Sequence, residues 1–142
     1  MNAKVLLVDD EEDFVETLSK RLEMRGLKVT GAHGGEKAVE LVDEKQFDAI
    51  VLDLAMPGMD GLETLKVIKE NHPDAEIIIL SGKGTIKSSI EAMKLGAEDF
   101  LEKPVDLNEL LHKIDEAKNK RILILQKQSK EEITDILKRK AW

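Results

Sequence analysis

Five polar side chains in this sequence follow short apolar runs, at the places where buried strands would end. Asp9 and Asp10 come after KVLLV, and Asp53 closes the run AIVLD. Ser81 follows EIIIL, and Lys103 follows DFLE. The carboxyl ends of parallel strands meet at one edge of a sheet, and ligands bind in the crevice beyond that edge. The sequence therefore predicts that these five side chains converge.

The residue types in this set suit phosphoryl chemistry. Three carboxylates close together repel one another and raise each other's pKa unless a cation compensates. Mg²⁺ is a natural choice, because it binds through one or two carboxylates and takes phosphate oxygens as further ligands. Lys103 can place a positive charge against an anion, and Ser81 can donate one hydrogen bond to it. Asp53 is then left as the nucleophile that forms an aspartyl-phosphate.

The elements that must position these side chains alternate regularly along the chain. Apolar runs predict strands at 4–8, 27–32, 49–53, 76–80 and 99–102, and helical spacing fills the intervals, including 61–71 and 86–94. Gly26 and Gly96 are expected to close the first and fourth helices, and Asp106 to cap the last one. Repeated strand and helix units with short connections require parallel strands and right-handed crossovers. We therefore predict an α/β fold, a doubly wound five-stranded parallel sheet of the flavodoxin-like order 2-1-3-4-5, with an extended C-terminal helix.

Composition narrows the classes of protein that remain. The 142 residues are enough for one domain, and the absence of cysteine excludes disulfides and thiolate metal sites. No apolar stretch approaches the roughly 20 residues of a spanning helix, so we expect a soluble, cytoplasmic protein. Residues 1–117 carry 14 Lys and Arg against 26 Asp and Glu, which argues against nucleic-acid binding by this part. Residues 118–142 carry 8 Lys and Arg against 3 Asp and Glu, so the net charge of this segment is positive.

The motifs, taken together, closely resemble the receiver domain of two-component response regulators. The resemblance covers about residues 3–118 and predicts a receiver domain at 1–118, followed by a helical extension or linker at 119–142. It rests on five separated positions that agree in type and order: Asp9-Asp10, Asp53 with Met56-Pro57-Gly58 after it, Ser81-Gly82, Phe100, and Lys103-Pro104.

The resemblance implies a role for each site residue. Asp53 would accept a phosphoryl group from the phosphohistidine of a sensor histidine kinase or a phosphotransfer protein. The magnesium ligands would be Asp53, Asp10 directly, Asp9 mainly through water, and the backbone carbonyl of Ala55. The chain would then act as a switch on a downstream output protein or domain.

Three further roles belong to the response that follows phosphorylation. Lys103 would pair with the phosphate, and Ser81 would hydrogen-bond to it and move towards it on activation. Phe100 stands where the family has its rotating aromatic switch, although an aromatic residue on a short strand can equally be plain core. The altered surface would involve the fourth helix, the fifth strand and the fifth helix.

The motifs of two enzyme classes match this sequence only in part. SGKGT at 81–85 lacks the first glycine of a phosphate-binding P-loop and has Gly84 where Ser or Thr is required. A phosphatase of the haloacid dehalogenase type would need a second acid where this chain has Ala55, so that class is the weaker alternative. We therefore expect a switch and not an enzyme, with slow self-dephosphorylation at most. Lys83 lies where receivers tune that hydrolysis, in a direction that the sequence does not define.

The segment after Val105 contains neither Gly nor Pro and continues the helical pattern of apolar residues. It is consistent with one long helix or with a break near Asn119 and a second helix that folds back. A solvated linker and a dimerising or partner-binding helix are both compatible with its pattern. The chain would accordingly be a stand-alone switch or the amino-terminal part of a larger regulator. Trp142 lies at its end.

Overall fold

The computed structural model describes residues 2–56, 59–82 and 86–140. Pro57, Gly58, Lys83, Gly84 and Trp142, which the sequence analysis considered, lie outside these ranges. Strands and helices alternate throughout: β1 (Lys4–Val8), α1 (Glu12–Glu23), β2 (Lys28–Ala32), α2 (Gly35–Glu44), β3 (Ala49–Asp53), α3 (Gly61–Asn71), β4 (Ile77–Ser81), α4 (Ile86–Lys94), β5 (Asp99–Glu102) and α5 (Leu107–Lys140).

The five strands form one parallel sheet in the order β2-β1-β3-β4-β5, as the sequence predicted. β3 and β4 lie in the middle of the sheet, and each is buried along its whole length. Their continuous apolar runs follow from this position, because a central parallel strand is covered on both faces. The register pairs Asp53 with Leu80 and Ser81 with Glu102, so the polar strand ends lie at the same edge.

Helices cover both faces of the sheet, which makes the fold doubly wound. One apolar core joins the sheet to α2, α3 and α4, through residues such as Leu41, Ile68 and Ala92. A second core joins the opposite face to α1 and α5, through Leu18 and Ile114 among others. The three inner strands β1, β3 and β4 thus contribute alternate side chains to the two cores.

Most predicted boundaries agree with the structure to within one or two residues. Gly26 and Gly96 have φ of 89° and 108° and follow α1 and α4, as expected for glycines that close helices. The Asp106 carboxylate accepts a hydrogen bond of 3.1 Å from the Glu109 backbone N–H and so caps α5. The fourth strand is shifted by one residue from the predicted 76–80, so Ser81 ends the strand itself and Glu76 precedes it.

The C-terminal helix α5 is continuous over 34 residues, and the alternative with a break near Asn119 is wrong. Leu110, Ile114 and Ala117 bury its first half against the sheet. Beyond Arg121 the side chains that the structure describes are exposed, apart from Ile124, which is half-buried. At about 1.5 Å per residue, the helix is about 51 Å long, and residues 122–140 extend past the sheet by about half of that length.

Three basic residues attach α5 to the amino-terminal edge of the sheet, at the point where the helix leaves the domain. Lys118 donates to the backbone carbonyl of Asn2, and Lys120 forms an ion pair with Glu98. Arg121 is only 11% exposed, and its guanidinium nitrogens lie 3.8 Å from an Asp48 oxygen and 3.7 Å from an Asp74 oxygen. We call these three residues the anchor cluster; they fix the direction in which the helix continues.

Candidate functional site

The ends of β1 and β3 bring three carboxylates together at the carboxyl edge of the sheet. The two strands are neighbours, with Val8 paired to Leu52, so Asp9 and Asp10 lie beside Asp53. One carboxylate oxygen from each of the three acids lies within 4.8 Å of the others. Asp9 is fully buried and Asp53 is 4% exposed, whereas Asp10 faces solvent. The cluster is therefore open on one side only.

Backbone N–H groups orient the two buried carboxylates. The Glu11 N–H donates to Asp9 Oδ1 at 3.0 Å, and the Ala55 N–H donates to Asp53 Oδ1 at 3.3 Å. Each bond comes from the residue two positions further along the chain, in the loop that follows the strand. The Oδ1 atom of each acid is thereby held, and the Oδ2 atoms of both face Lys103.

Lys103 reaches the cluster from the loop after β5. Its Nζ lies 2.8 Å from Asp9 Oδ2 and 3.8 Å from Asp53 Oδ2, and 4.5 Å from the centre of the Phe14 ring. Burial disfavours the charged amine, but the hydrogen bond to Asp9 and the charges of Asp53, Asp9 and Glu11 together raise the pKa of Lys103. The lysine is therefore a fixed positive charge at the site.

The proton affinity of Asp53 is raised by its surroundings in the cluster. Burial, together with the charge of Asp9 and more weakly that of Asp10, raises its pKa from 3.8 to about 6, against the opposing effects of Lys103 and the Ala55 N–H. A divalent cation beside these oxygens would favour the charged form, because it supplies the missing positive charge. The raised pKa thus reflects burial first and the neighbouring negative charges second, and a bound cation would oppose both effects.

The donor set fits Mg²⁺. It consists of carboxylate oxygens, which are the hard ligands that this ion prefers, and one of the three acids is open to solvent, where water ligands can be kept. Ala55 is exposed and lies two residues after Asp53, in the loop that follows β3, which is compatible with the prediction that its carbonyl is a further ligand.

Ser81 and Phe100 lie on neighbouring strands near this cluster. Ser81 is buried at the end of β4, and its hydroxyl donates to the Leu101 carbonyl at 3.5 Å, the long limit for a hydrogen bond. Phe100 is 43% exposed, so the alternative that it is a plain core aromatic is wrong. Together with Ile90 and Met93 it lines a surface cavity of about 480 Å³ that extends to Ser81.

Asp9, Asp10, Asp53 and Lys103 lie together as the sequence predicts, but two contacts of Lys103 were not predicted. Lys103 is predicted to pair with a phosphate, and its hydrogen bond to the buried Asp9 carboxylate was not predicted. The contact between the Lys103 amine and the Phe14 ring was not predicted either. The signal for Phe14 was its position on the first turn of the helix that follows Asp9 and Asp10, which places it at the same edge of the sheet.

A five-stranded, doubly wound sheet with an acidic cluster and a lysine at its carboxyl edge defines a recognisable class of α/β protein. A family model for the response regulator receiver domain matches residues 5–115. The chain therefore belongs to the receiver domain family of two-component response regulators. Within the part of the chain that the structure describes, no helix has the length and apolar character needed to cross a membrane.

Individual relatives agree with this assignment. The chain is similar to the transcriptional regulatory protein CpxR of Escherichia coli K12, with 38% identity over 111 residues, which is 78% of this chain and 47% of CpxR. It thus spans about half the length of that relative. Among solved structures, a receiver domain from Clostridium thermocellum is 33% identical with a TM-score of 0.83, covering 86% of this chain and 98% of that one. NtrX from Brucella abortus is 30% identical with a TM-score of 0.80, over 96% of this chain and 30% of NtrX.

Proposed function

We propose that this chain is a phosphorylation-activated switch in which Asp53 accepts the phosphoryl group of a phosphohistidine on a sensor histidine kinase or a phosphotransfer protein. The observation that carries the proposal is the convergence of the Asp9 and Asp10 carboxylates and of Lys103 on Asp53. In the transfer, a bond forms between an Asp53 oxygen and phosphorus while the bond from phosphorus to the imidazole nitrogen breaks. Residues 1–118 form the receiver in this proposal, and residues 119–142 form the helical extension.

The chain's own residues hold the reacting groups in place. Asp9, Asp10, Asp53 and the Ala55 carbonyl would hold Mg²⁺, which supplies positive charge against the phosphoryl oxygens when it is bound. The Ala55 N–H keeps one Asp53 oxygen oriented, so that the other is presented to the incoming phosphorus. Lys103 already lies 3.8 Å from Asp53 Oδ2, and it stabilises the negative charge that develops on the transferred group.

The response begins at Ser81. Its hydrogen bond to the Leu101 carbonyl is long, so moving the hydroxyl to a phosphate oxygen costs little. Leu101 lies next to Phe100, whose half-exposed ring borders the cavity beside Ile90 and Met93. Movement of Ser81 therefore changes the apolar surface of α4 and β5, which we propose as the surface read by the output protein or domain.

We do not expect the site to catalyse rapid hydrolysis of the aspartyl-phosphate. Ala55 offers no side chain that can position water or transfer a proton beside Asp53. The aspartyl-phosphate should therefore hydrolyse slowly, as suits a signal that must persist. This feature also separates the proposed switch from a phosphatase of the haloacid dehalogenase type.

The test is the intact mass of the chain after incubation with acetyl phosphate, with and without Mg²⁺. We expect a gain of one phosphoryl group that requires the metal and is lost in Asp53→Asn. Asp135→Asn is the matched control, because this acid is exposed on α5 far from the site, and it should be phosphorylated like the wild type. Steady release of phosphate from small phosphoesters without a stable adduct would overturn the switch and favour the phosphatase.

A further inference from the structure

The part of α5 beyond the domain carries an apolar face that no other described residue covers. Ile122, Leu125, Ile133, Ile136 and Leu137 are between 38% and 65% exposed, although all are large aliphatic side chains. We call these five residues the extension stripe. Exposed apolar residues that recur on one element mark an interaction surface more often than scattered single ones.

The spacing of the extension stripe places its members on one side of the helix. Ile133 and Ile136 each follow Ile122 and Leu125 by 11 residues, which is close to three turns at about 3.6 residues per turn. Two exposed polar residues, Gln126 and Ser129, lie on the same side between the two apolar groups. The stripe is therefore a continuous face with a polar centre.

Charges on the two flanks of the stripe have opposite signs over residues 127–135. Lys130 and Lys127 lie to one side of the stripe, and Glu132 and Asp135 lie at the corresponding positions on the other side. In a parallel pair of identical helices, each flank faces the opposite flank of the partner, so lysines meet acids. In an antiparallel pair each flank faces its own copy, so lysines meet lysines and acids meet acids.

We propose that the extension stripe binds the same stripe of a second copy of this chain, with the two helices parallel and in register. A two-fold axis along the helices makes the patch self-complementary, which is how most homodimer interfaces are built. The apolar groups of the two copies then cover each other, and Gln126 and Ser129 each meet their own counterpart. Polar residues at such central positions favour one register and one orientation.

Because of the anchor cluster, pairing of the two helices also fixes where the two receivers lie. Lys118, Lys120 and Arg121 hold the helix against the sheet where it leaves the domain, just before Ile122. A pair formed beyond Arg121 therefore sets the two receivers side by side at the same end of the pair. The inference is independent of the phosphoryl chemistry, so Asp53→Asn should form the same dimer.

The first test uses the absence of cysteine from the chain. Gln126→Cys places a thiol on the stripe, and Gln128→Cys places one off the stripe on the same exposed turn of helix. Under mild oxidation we expect Gln126→Cys to form a covalent dimer and Gln128→Cys to remain uncrosslinked. Crosslinking of the double variant Gln126→Cys/Ile133→Cys without crosslinking of Gln126→Cys would indicate antiparallel helices and overturn the proposal.

Charge reversal tests the orientation in the unmodified chain. By sedimentation equilibrium, Lys130→Glu should weaken the dimer about fivefold or more, since acids then face acids at two symmetric places. The double variant Lys130→Glu/Glu132→Lys should restore it. Tighter association of Lys130→Glu alone would be the result expected of antiparallel helices.

The variant Ile133→Asp/Ile136→Asp tests whether the stripe is the interface at all. We expect it to be monomeric at concentrations where the wild type is dimeric, with unchanged phosphorylation of Asp53 as evidence that the receiver is folded. A dimer that survives these substitutions would lie on another surface, and a wild type that stays monomeric up to high concentration would exclude a second copy. Either result overturns the proposal.

Discussion

Asp9 and Lys103 show how charge is balanced at the level of single residues. Asp9 is fully buried, and Lys103 Nζ lies 2.8 Å from its Oδ2. A buried carboxylate is costly unless it is paired, and most of the cost of losing the partner comes from the charge that remains. Lys103 therefore has a structural role before any phosphate arrives, in addition to the role that we propose in transfer.

We expect Lys103→Met to lower the free energy of unfolding by about 3 kcal/mol at pH 7.5 without metal, because it leaves Asp9 buried and uncompensated. Urea-induced unfolding measures this loss, and added Mg²⁺ should reduce it. Lys20→Met is the control, since Lys20 forms an exposed pair with Glu16 and its removal should change stability by about 0.5 kcal/mol or less. Equal losses in the two variants would contradict the role of Lys103 as the counter-ion of Asp9.

The proximity of Asp9, Asp53 and Lys103 could be predicted from the sequence, but the pairing of their atoms could not. Asp9, Asp53 and Lys103 follow apolar runs, and strand ends converge in any parallel sheet, so their neighbourhood follows from the pattern alone. Which oxygen a lysine reaches depends on the lengths of loops and side chains, which no pattern encodes. The sequence pattern also predicts Glu76 as the first residue of a strand. It does not predict that Glu76 is buried at the amino edge of the sheet, because that burial depends on contacts with other elements.

At the level of elements, the junction of β3 and α3 holds the end of the strand in place. The Gly61 N–H donates to the Leu54 carbonyl at 3.1 Å, and a Cβ on Gly61 would lie 2.4 Å from Leu54 Cα and 2.5 Å from the Asp53 carbonyl oxygen. The Asp60 carboxylate caps α3 through the Glu63 N–H at 2.8 Å. The helix thus begins in direct contact with the backbone of the residue that we propose as the phosphoryl acceptor.

Gly61→Ala should therefore lower the free energy of unfolding by about 1–3 kcal/mol, because backbone atoms must move to accept the methyl group. It should also slow the phosphorylation of Asp53 by acetyl phosphate, measured from the time course of intact mass. Gly34→Ala is the matched control, since nothing lies within 4 Å of a Cβ there. If both variants behave like the wild type, the close contact at Gly61 does not position Asp53.

The order of the strands could be predicted from the sequence, whereas the continuity of α5 could not. Five strand and helix units of this length favour one compact order, and the structure has it. Continuity of the helix beyond Asn119 depended on whether RILIL at 121–125 folds back onto the domain. Arg121 settles this, because it is held between Asp48 and Asp74 while the helix continues past them, and those contacts join residues far apart in sequence.

At the level of the whole molecule, a buried acid with a raised pKa lies at each end of the sheet. Asp53 is at the carboxyl edge, and Glu76, at the amino edge, is 4% exposed. Burial, a hydrogen bond with Glu98 and the charge of Glu98 raise the pKa of Glu76 from 4.5 to about 7, against the opposing charges of Lys120 and Lys69. The folded chain therefore takes up protons that the unfolded chain does not hold near neutral pH.

A raised carboxyl pKa stabilises the fold at low pH, and this stability is lost as pH rises through the folded value. As pH rises from about 5 to about 8, the free energy of unfolding of Glu76→Gln should therefore increase relative to that of the wild type. The difference should reach about 2 kcal/mol at pH 8. Unfolding in urea at several pH values measures the difference. The exposed Glu70→Gln should show no such trend, and a pH-independent gap for Glu76→Gln would show that Glu76 does not titrate in this range.

The unbroken helix α5 also has the geometry of a lever arm. Its amino-terminal end follows the loop of Lys103, close to the acidic cluster, and its far end lies beyond the opposite edge of the sheet. Residues 122–140 form an arm of roughly 28 Å, so a tilt of about 5° in the domain moves the tip by about 2–3 Å. A displacement too small to alter the receiver's own packing would thereby be magnified at a distance, so the phosphorylation that we propose would reach the tip of the helix as motion instead of as charge.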